Sequence, residues 1–345
     1  MAKRRRKWGL IASALVLCAT GLGYWAWQRI NGPVTRFKEE SRVLYIPTGA
    51  DLRTVTDSLL RIEAIPDAAS FTFMADRKNY TDHIKPGRYK VPRGMGMNAL
   101  VNKLRAGDQD PVRVTFANVD HLQELAGRLD RALEPDSIAF LQAFMDPDLQ
   151  RELGLENETF ISLFIPNTYE FWWTTTPKQF VARMRKEHDA FWTEERREQA
   201  EQRRMTTTEV ATLASIVQAE TRMALDAPDI AGVYLNRLRV GMPLQADPTI
   251  QFALGLDSIR RLLHRDLDVV SPYNTYRNKG LPPGPINMPE PRFIDAVLEA
   301  PEHDYFYFCA RADLSGHTDF ARTYEQHLVN ARRYQRALNA RKIMR

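Results

Sequence analysis

The stretch TTTEVATLASIVQAETRMA, residues 206–224, predicts a helix with one apolar face. Thr206 and Glu209 have the spacing of a capping box, in which each side chain accepts a hydrogen bond from the other residue's backbone N–H. Apolar residues then recur at the i, i+3, i+4 and i+7 spacing of a buried helical face: Val210, Leu213, Ala214 and Val217. We therefore expect this helix to lie in the core of a folded domain.

Glu220 lies on the same face of this predicted helix. At about 100° per residue it projects only about 20° from Leu213. A carboxyl held against an apolar face is poorly solvated in its charged form, so its pKa rises toward the range of a general acid. The alternative is a structural glutamate that reaches solvent or pairs with an arginine, and the helix alone does not decide between the two.

Short strands and helices alternate upstream of this helix. The segments VLYIPTG and KPGRYKVP resemble strands, and residues 51–60, 70–77 and 96–104 have helical spacing. This alternation predicts a small α+β domain that ends near Gly107, with a hinge at 108–111.

The rest of the chain also mixes strands and helices. VRVTFANV (112–119) and DYFYFCAR (304–311) alternate as strands do, whereas 291–298 and the stretch from Phe320 onward predict helices. FIPNTYEFWW (164–173) is either a buried core strand or a segment that faces a ligand. The predicted fold class is α+β throughout.

The net charge of +5 comes from one cluster at the N-terminus. Lys3–Lys7 supply five of the 48 basic residues, and the remaining 43 equal the number of acidic residues. Because no basic patch interleaved with aromatic residues occurs elsewhere, we expect no nucleic-acid partner.

An uncharged apolar stretch follows this cluster, from Trp8 to Trp27. Twenty residues span about 30 Å as a helix, which is the thickness of the hydrocarbon core of a membrane. The sequence therefore predicts a cytoplasmic tail (1–7), a transmembrane helix (8–28) and a polar linker (29–42), with the rest of the protein outside the cytoplasm. A cleaved signal peptide is the alternative, and the bulky end of the stretch disfavours it. A lipoprotein signal at Cys18 is disfavoured because Leu17 precedes it.

Cysteines and common catalytic signatures are sparse. Cys18 and Cys309 are the only cysteines, so neither a disulfide nor a cysteine-based zinc site is expected. The sequence has no Walker A loop, GxGxxG, HExxH or GxSxG motif. His317 and His327 are ten residues apart, with a turn predicted between them, and we expect neither a metal nor a cofactor.

Four motifs together resemble the YceG-like family, which comprises membrane-anchored endolytic murein transglycosylases. They are LASIVQAET with Glu220, VYLNRLRVGMPLQADPTI (233–250), SPYNTYRNKGLPPGPI (271–286) and GHTDFARTYEQH (316–327). The resemblance implies a LysM-like domain at 43–107 and a larger α+β catalytic domain at 108–345.

The resemblance also implies an activity. The enzyme would cleave the bond between N-acetylmuramic acid (MurNAc) and N-acetylglucosamine (GlcNAc) in nascent peptidoglycan strands, leave 1,6-anhydro-MurNAc ends and so terminate elongation. It would act in the inner membrane, and its partners would be peptidoglycan glycan polymerases, the penicillin-binding proteins. A hydrolytic muramidase and a non-enzymatic peptidoglycan-binding or divisome scaffold are the alternative functions.

Glu220 matches the catalytic position of the family. The matched motifs also supply candidates to contact the sugar: Asn236, Gln245, Asp247, Tyr273, Asn274 and Tyr276. Each has a structural alternative, since Asn274 could cap a turn, Asp247 could start a helix, and the tyrosines could belong to the core. A second carboxylate near Glu220, such as Asp247, would permit hydrolysis.

The sequence departs from the family at two places. Gln218 replaces a glutamate that usually precedes the catalytic residue by two positions, which puts a supporting role for an acidic neighbour in doubt. The Gly-containing turn after the small domain is replaced by Ala117–Asp120, which leaves the orientation of the two domains open.

Overall fold

The computed structural model describes residues 17, 20, 21, 24, 32–35, 37–117, 119–221, 223–255 and 262–341. Over these ranges the chain forms thirteen α-helices and three two-stranded sheets, which confirms the predicted α+β class. Most of the predicted transmembrane helix, 8–28, lies outside the described residues. Within them, no helix is both long and apolar enough to cross a membrane.

The chain divides into two compact units. Unit 1 comprises Met1–Arg113, Ala132–Glu134 and Glu170–Thr175, and unit 2 comprises the remaining residues to Arg345. The predicted domain bounds at 43–107 and 108–345 stay predictions.

Unit 1 is built on an antiparallel pair of strands, in which Ile46 lies opposite Gly87. Asp51 and Asp67 begin two of its helices, because their carboxylates accept hydrogen bonds from backbone N–H groups three residues on. Its elements are β1 (Ser41–Ile46), α1 (Leu52–Arg61), α2 (Ala68–Arg77), a 3₁₀ turn (Thr81–His83), β2 (Gly87–Pro92) and α3 (Met97–Ala106).

Part of the predicted linker, 29–42, packs into unit 1. Pro33 forms an isolated bridge with Gly96, and Phe37 is buried in the apolar core with Leu44 and Leu59. Packing in unit 1 therefore begins before the predicted start at residue 43, because the apolar side chain of Phe37 joins the core. The polar residues around Phe37 gave no sign of this in the sequence.

Unit 2 contains most of the helices. Strands β3 (Val112–Phe116) and β4 (Asn167–Phe171) belong partly to this unit. Its other elements are α4 (Leu122–Asp130), α5 (Ser137–Phe144), α6 (Pro147–Leu153), a 3₁₀ turn (Phe160–Leu163), α7 (Pro177–Phe191), α8 (Glu194–Gln202), α9 (Thr207–Glu220), α10 (Ala227–Arg239), α11 (Asp247–Ala253), a 3₁₀ turn (His264–Asp268), α12 (Pro291–Leu298), β5 (Tyr307–Ala310), β6 (Thr318–Ala321) and α13 (Tyr324–Ala340).

Helix α9 is the central helix of the larger core of unit 2. The predicted capping box of Thr206 and Glu209 is present, and the predicted apolar face is fully buried. Helices α10 and α12 pack on α9 and on each other. The helix ends at Glu220 rather than at 224, because Thr221 adopts an extended backbone with φ −137° and ψ 140°.

Two other segments differ in detail from their predictions or resolve an alternative. Tyr169 and Phe171 of β4 are buried, which supports the core-strand interpretation of 164–173. Phe320 belongs to β6, which pairs with β5, and the C-terminal helix begins only at Tyr324. Strand β6 has only four residues, which are too few to show the alternating pattern of a strand in the sequence.

Candidate active site

Glu220 is the last residue of α9, at the point where the chain leaves the core. Glu220 as a whole is half-buried, and its Oε1 accepts a hydrogen bond of 2.8 Å from the hydroxyl of Tyr234. Burial raises the pKa of Glu220 from 4.5 to about 7. The Tyr234 hydrogen bond and the Arg237 charge oppose this rise in pKa, whereas the charge of Asp247 adds to it. At neutral pH the carboxyl therefore carries a proton in a large fraction of molecules.

Tyr234 lies on α10, the helix that follows Glu220 in the chain. Its side chain is 1% exposed and packs edge-on against Phe308, with 5.7 Å between the ring centroids. Burial and the neighbouring Glu220 raise the pKa of Tyr234 well above 10, so its hydroxyl is a hydrogen-bond donor. Tyr234 was not among the predicted site residues, although it lies in the matched motif 233–250.

Arg237 follows Tyr234 by three residues on α10 and is also buried. Its Nε donates to the carbonyl of Phe306 at 2.7 Å, and its Nη1 donates to the carbonyl of Leu244 at 2.5 Å. Burial lowers the pKa of Arg237, and the guanidinium lies 5.4 Å from the ring centre of Tyr307. This second unnamed residue fixes the loop before α11 and brings a positive charge toward Glu220.

Asp247 and Tyr276 form a second carboxyl–tyrosine pair. The Tyr276 hydroxyl donates to Asp247 Oδ1 at 2.5 Å, and Asp247 is exposed. Burial, followed by this hydrogen bond, raises the pKa of Tyr276 above its ordinary value. Gln245 is exposed nearby in the chain, in a left-handed backbone conformation with φ 51°. Such strain in a residue other than glycine is concentrated at functional sites.

The other three candidates hold the surrounding structure. The amide group of the buried Asn274 donates to the carbonyls of Leu267 and Val269, and its oxygen accepts from the backbone N–H groups of residues 276 and 277. Asn274 thus caps a turn, which was its structural alternative.

Asn236 and Tyr273 are also engaged in packing. The Asn236 amide donates to the carbonyls of His303 and Tyr305, at 2.7 and 3.0 Å. Tyr273 packs on Phe252 with ring centroids 4.7 Å apart, and burial raises the pKa of Tyr273 to about 12. For all six candidates, contact with a sugar stays a prediction.

Gln218 connects α9 to the start of α12. Its Oε1 accepts from the backbone N–H of Glu290 at 2.7 Å, and its Nε2 donates to Asn287 Oδ1 at 3.2 Å. A glutamate at this position would accept the first hydrogen bond and could not donate the second when ionised. The residue at position 218 therefore orders the segment beside α9, and in this chain it does so without a charge.

The two histidines that were considered as metal ligands lie in different surroundings. His317 hydrogen-bonds to Asp226 at 2.9 Å, and the ring of His327 stacks on Tyr307. In the part of the chain that the structure describes, no three or more His, Cys, Asp or Glu side chains form a group able to hold a metal ion.

The arrangement can transfer protons. The half-buried Glu220 has a carboxyl that is protonated in a large fraction of molecules near neutral pH and is held in place by Tyr234. A second carboxyl, Asp247, is close enough for its charge to act on the first. Most enzymes that cleave glycosidic bonds use such a pair of carboxyl groups.

Known proteins support this interpretation. The chain is 26% identical over 310 residues to the endolytic murein transglycosylase of Bacillus subtilis (strain 168), covering 86% of this chain and 85% of that protein. It is 27% identical over 350 residues to the endolytic murein transglycosylase of Streptococcus pneumoniae (strain D39), covering 91% of this chain and 62% of that longer protein.

A solved structure and a family model agree with these relatives. The 2.6 Å crystal structure of a YceG-like protein from Listeria monocytogenes matches with a TM-score of 0.58 and 28% identity, covering 84% of this chain and 98% of that one. The model of the YceG-like family matches residues 44–333. The chain therefore belongs to the YceG-like family.

Proposed function

We propose that this chain is an endolytic lytic transglycosylase that cleaves peptidoglycan glycan strands, with Glu220 as its acid and base. The observation that carries the proposal is the carboxyl of the half-buried Glu220 at the end of α9, which is hydrogen-bonded to Tyr234 and has a pKa raised to about 7. The relatives that are named endolytic murein transglycosylases support the choice of peptidoglycan as substrate.

In the first step Glu220 acts as an acid. Its proton passes to the oxygen that joins C1 of MurNAc to GlcNAc, and the C1–O bond breaks with its electron pair on the leaving oxygen. Positive charge develops at C1 and the ring oxygen, and Glu220 is left as a carboxylate. Tyr234 and Arg237 favour that carboxylate, since both lower the pKa of Glu220.

In the second step the same carboxylate acts as a base. It takes the proton of the C6 hydroxyl of MurNAc, whose oxygen attacks C1 and closes the 1,6-anhydro ring. Glu220 ends the cycle protonated, and no water is consumed. One carboxyl is thus sufficient for the acid and base roles.

Hydrolysis is the second candidate function, and Asp247 is the observation that favours it. A carboxylate near the acid could activate a water molecule for attack on C1, as in inverting glycosidases. The product would then carry a reducing MurNAc end rather than an anhydro end.

The test compares the solubilised full-length chain with its Glu220→Gln variant on purified glycan strands. We expect anhydro ends, one water lighter than reducing ends in a mass spectrum, and a loss of at least about 100-fold in the variant with an unchanged circular dichroism spectrum. Full activity of the variant would reject Glu220. Binding to cell-wall sacculi without new ends would support a scaffold instead.

The proposed cellular setting follows from the N-terminal sequence and the family. The segment 8–28 anchors the chain in the inner membrane with residues 1–7 in the cytoplasm, and the region 43–107, a LysM-like domain, and the catalytic domain lie outside. There the enzyme acts on strands made by penicillin-binding proteins and terminates their elongation. Protease added outside spheroplasts should digest everything beyond the anchor, whereas protection of the C-terminal region would reject this topology.

A further inference from the structure

The Asp247–Tyr276 pair has no role in the two proton transfers, yet it lies beside the group that performs them. We propose that Asp247, held by Tyr276, faces the MurNAc ring and stabilises the positive charge that develops at C1 and the ring oxygen. This inference rests on the proposed lytic function and adds a second catalytic residue to it. Asp247 forms no covalent bond and exchanges no proton in this role, so the balance of the reaction is unchanged.

The backbone on both sides of the pair is fixed. The N–H of Gln245 donates to the carbonyl of Thr275 at 3.0 Å, and the N–H of Ala246 donates to Thr275 Oγ1 at 3.0 Å. Thr249, two residues after Asp247, lies 2.9 Å from the same Oγ1 through its own hydroxyl. The carboxylate and its tyrosine partner are therefore carried by two segments that are joined immediately next to them.

The pair is near Glu220. Helix α11 begins with Asp247 and packs against α9, which ends with Glu220. Electrostatics agree with this placement, since the Asp247 charge acts on Glu220 and the Tyr276 hydroxyl is influenced by both carboxyls.

The carboxylate is also available to a ligand. Asp247 is exposed, whereas Tyr276 is half-buried, so the tyrosine fixes Asp247 from the protein side. Among the described residues, the only hydrogen bond to the Asp247 side chain is the one that Oδ1 accepts from Tyr276. This bond fixes the orientation of the carboxylate and leaves Oδ2 without a hydrogen-bond partner among the described residues, so that Oδ2 can approach a sugar.

The positive charge of the transition state gives such a group a role beyond the acid and base steps. When the C1–O bond breaks, Glu220 becomes negative only as fast as it gives up its proton, and the ring carries positive charge until the C6 oxygen attacks. A fixed negative charge stabilises that transition state more than the neutral substrate, and this difference raises kcat. A structural role at the start of α11 would instead affect stability alone.

The experiment measures kcat, KM and product ends for the full-length chain and for Asp247→Asn, Tyr276→Phe and Asp148→Asn. Asp148 is a matched control, since it is exposed and lies in the first turn of α6, which also has a proline in its first turn. We expect Asp247→Asn to lower kcat by about 100-fold with KM changed less than about threefold, and all ends to stay anhydro. Tyr276→Phe should lower kcat by about tenfold, and the control should match the unmodified chain.

The pH profile supplies a readout that packing would not move. Without the Asp247 charge, the alkaline fall of kcat should shift to lower pH in Asp247→Asn, because that charge raises the pKa of Glu220. Unchanged kcat, a change in KM alone, or a loss explained by a lower melting temperature would each overturn the inference. If the unmodified chain makes no anhydro ends, the proposed function itself fails, whatever the variants do.

Discussion

At the scale of the residue, the site is a carboxyl whose proton affinity is set by opposing neighbours. Burial raises the pKa of Glu220 to about 7 and Asp247 adds to the rise, whereas Tyr234 and Arg237 oppose it. The two roles of Glu220 require this balance, since an acid must hold its proton at neutral pH and the later base must be stable as a carboxylate.

Replacing Tyr234 by phenylalanine tests this balance. The Tyr234 hydrogen bond stabilises the ionised form of Glu220, so Tyr234→Phe should raise the pKa of Glu220 above about 7. Because the first step needs protonated Glu220, the alkaline fall of kcat should move up by about one pH unit. Tyr45→Phe, at an exposed site in unit 1, should leave the profile in place. An unmoved profile in Tyr234→Phe would contradict the assigned hydrogen bond.

At the scale of the element, helix α9 organises the site by what its polar residues hold. Buried Ser215 accepts a hydrogen bond from the N–H of Ile286 at 3.0 Å, and its carbonyl accepts from the Asn287 amide at 2.9 Å. Gln218, two residues before Glu220, adds two further hydrogen bonds to the same segment. Together these contacts hold residues 286–290 along α9. Helix α9 thus orders its neighbours through two polar side chains and one backbone carbonyl.

Removing the Ser215 hydroxyl tests this role. Ser215→Ala leaves the buried N–H of Ile286 without its acceptor, so we expect a loss of about 1–3 kcal/mol in the free energy of unfolding. Urea denaturation measures it, with Ala219→Ser as the control on the exposed side of the same helix, expected to change stability by less than about 0.5 kcal/mol. Equal stability of both variants would show that α9 does not hold this segment through Ser215.

The sequence predicted the parts of the site that depend on local periodicity. Helix α9 and the position of Glu220 on its apolar face follow from residues within three turns of each other. Tyr234 and Arg237 were missed because their roles depend on where α10 packs, and a tyrosine or arginine on a helix has no local mark of such a role. Asn274 caps a turn, which only the carbonyls around it reveal, and its contact with a sugar stays a prediction.

At the scale of the whole molecule, each of the two units has its own apolar core. Unit 1 contains a pair of buried tyrosines that differ in one respect. The Tyr89 hydroxyl donates to the carbonyl of Lys85 at 2.8 Å, whereas the Tyr80 hydroxyl has no hydrogen-bond partner among the described residues. Burial raises the pKa of both tyrosines, as expected for hydroxyls removed from solvent.

These two tyrosines allow unit 1 to be perturbed apart from the catalytic site. Tyr80→Phe removes an unpaired buried hydroxyl and should raise the free energy of unfolding by up to about 1 kcal/mol, whereas Tyr89→Phe loses a hydrogen bond and should lower it by about 1 kcal/mol. Urea denaturation gives both values, and kcat on short glycan strands should not change. If Tyr80→Phe destabilised the protein as much as Tyr89→Phe, the hydroxyl of Tyr80 would have a partner in solution.

The most direct test of the central claim is the source of the oxygen atom that becomes bonded to C1 at each new MurNAc end. Cleavage is carried out in water enriched in ¹⁸O, and the new MurNAc ends are weighed by mass spectrometry. If Glu220 activates the sugar's own C6 hydroxyl, the ends will be one water lighter than reducing ends and will contain no ¹⁸O. Reducing ends that carry one ¹⁸O would show that water attacks C1, and would contradict the lytic mechanism.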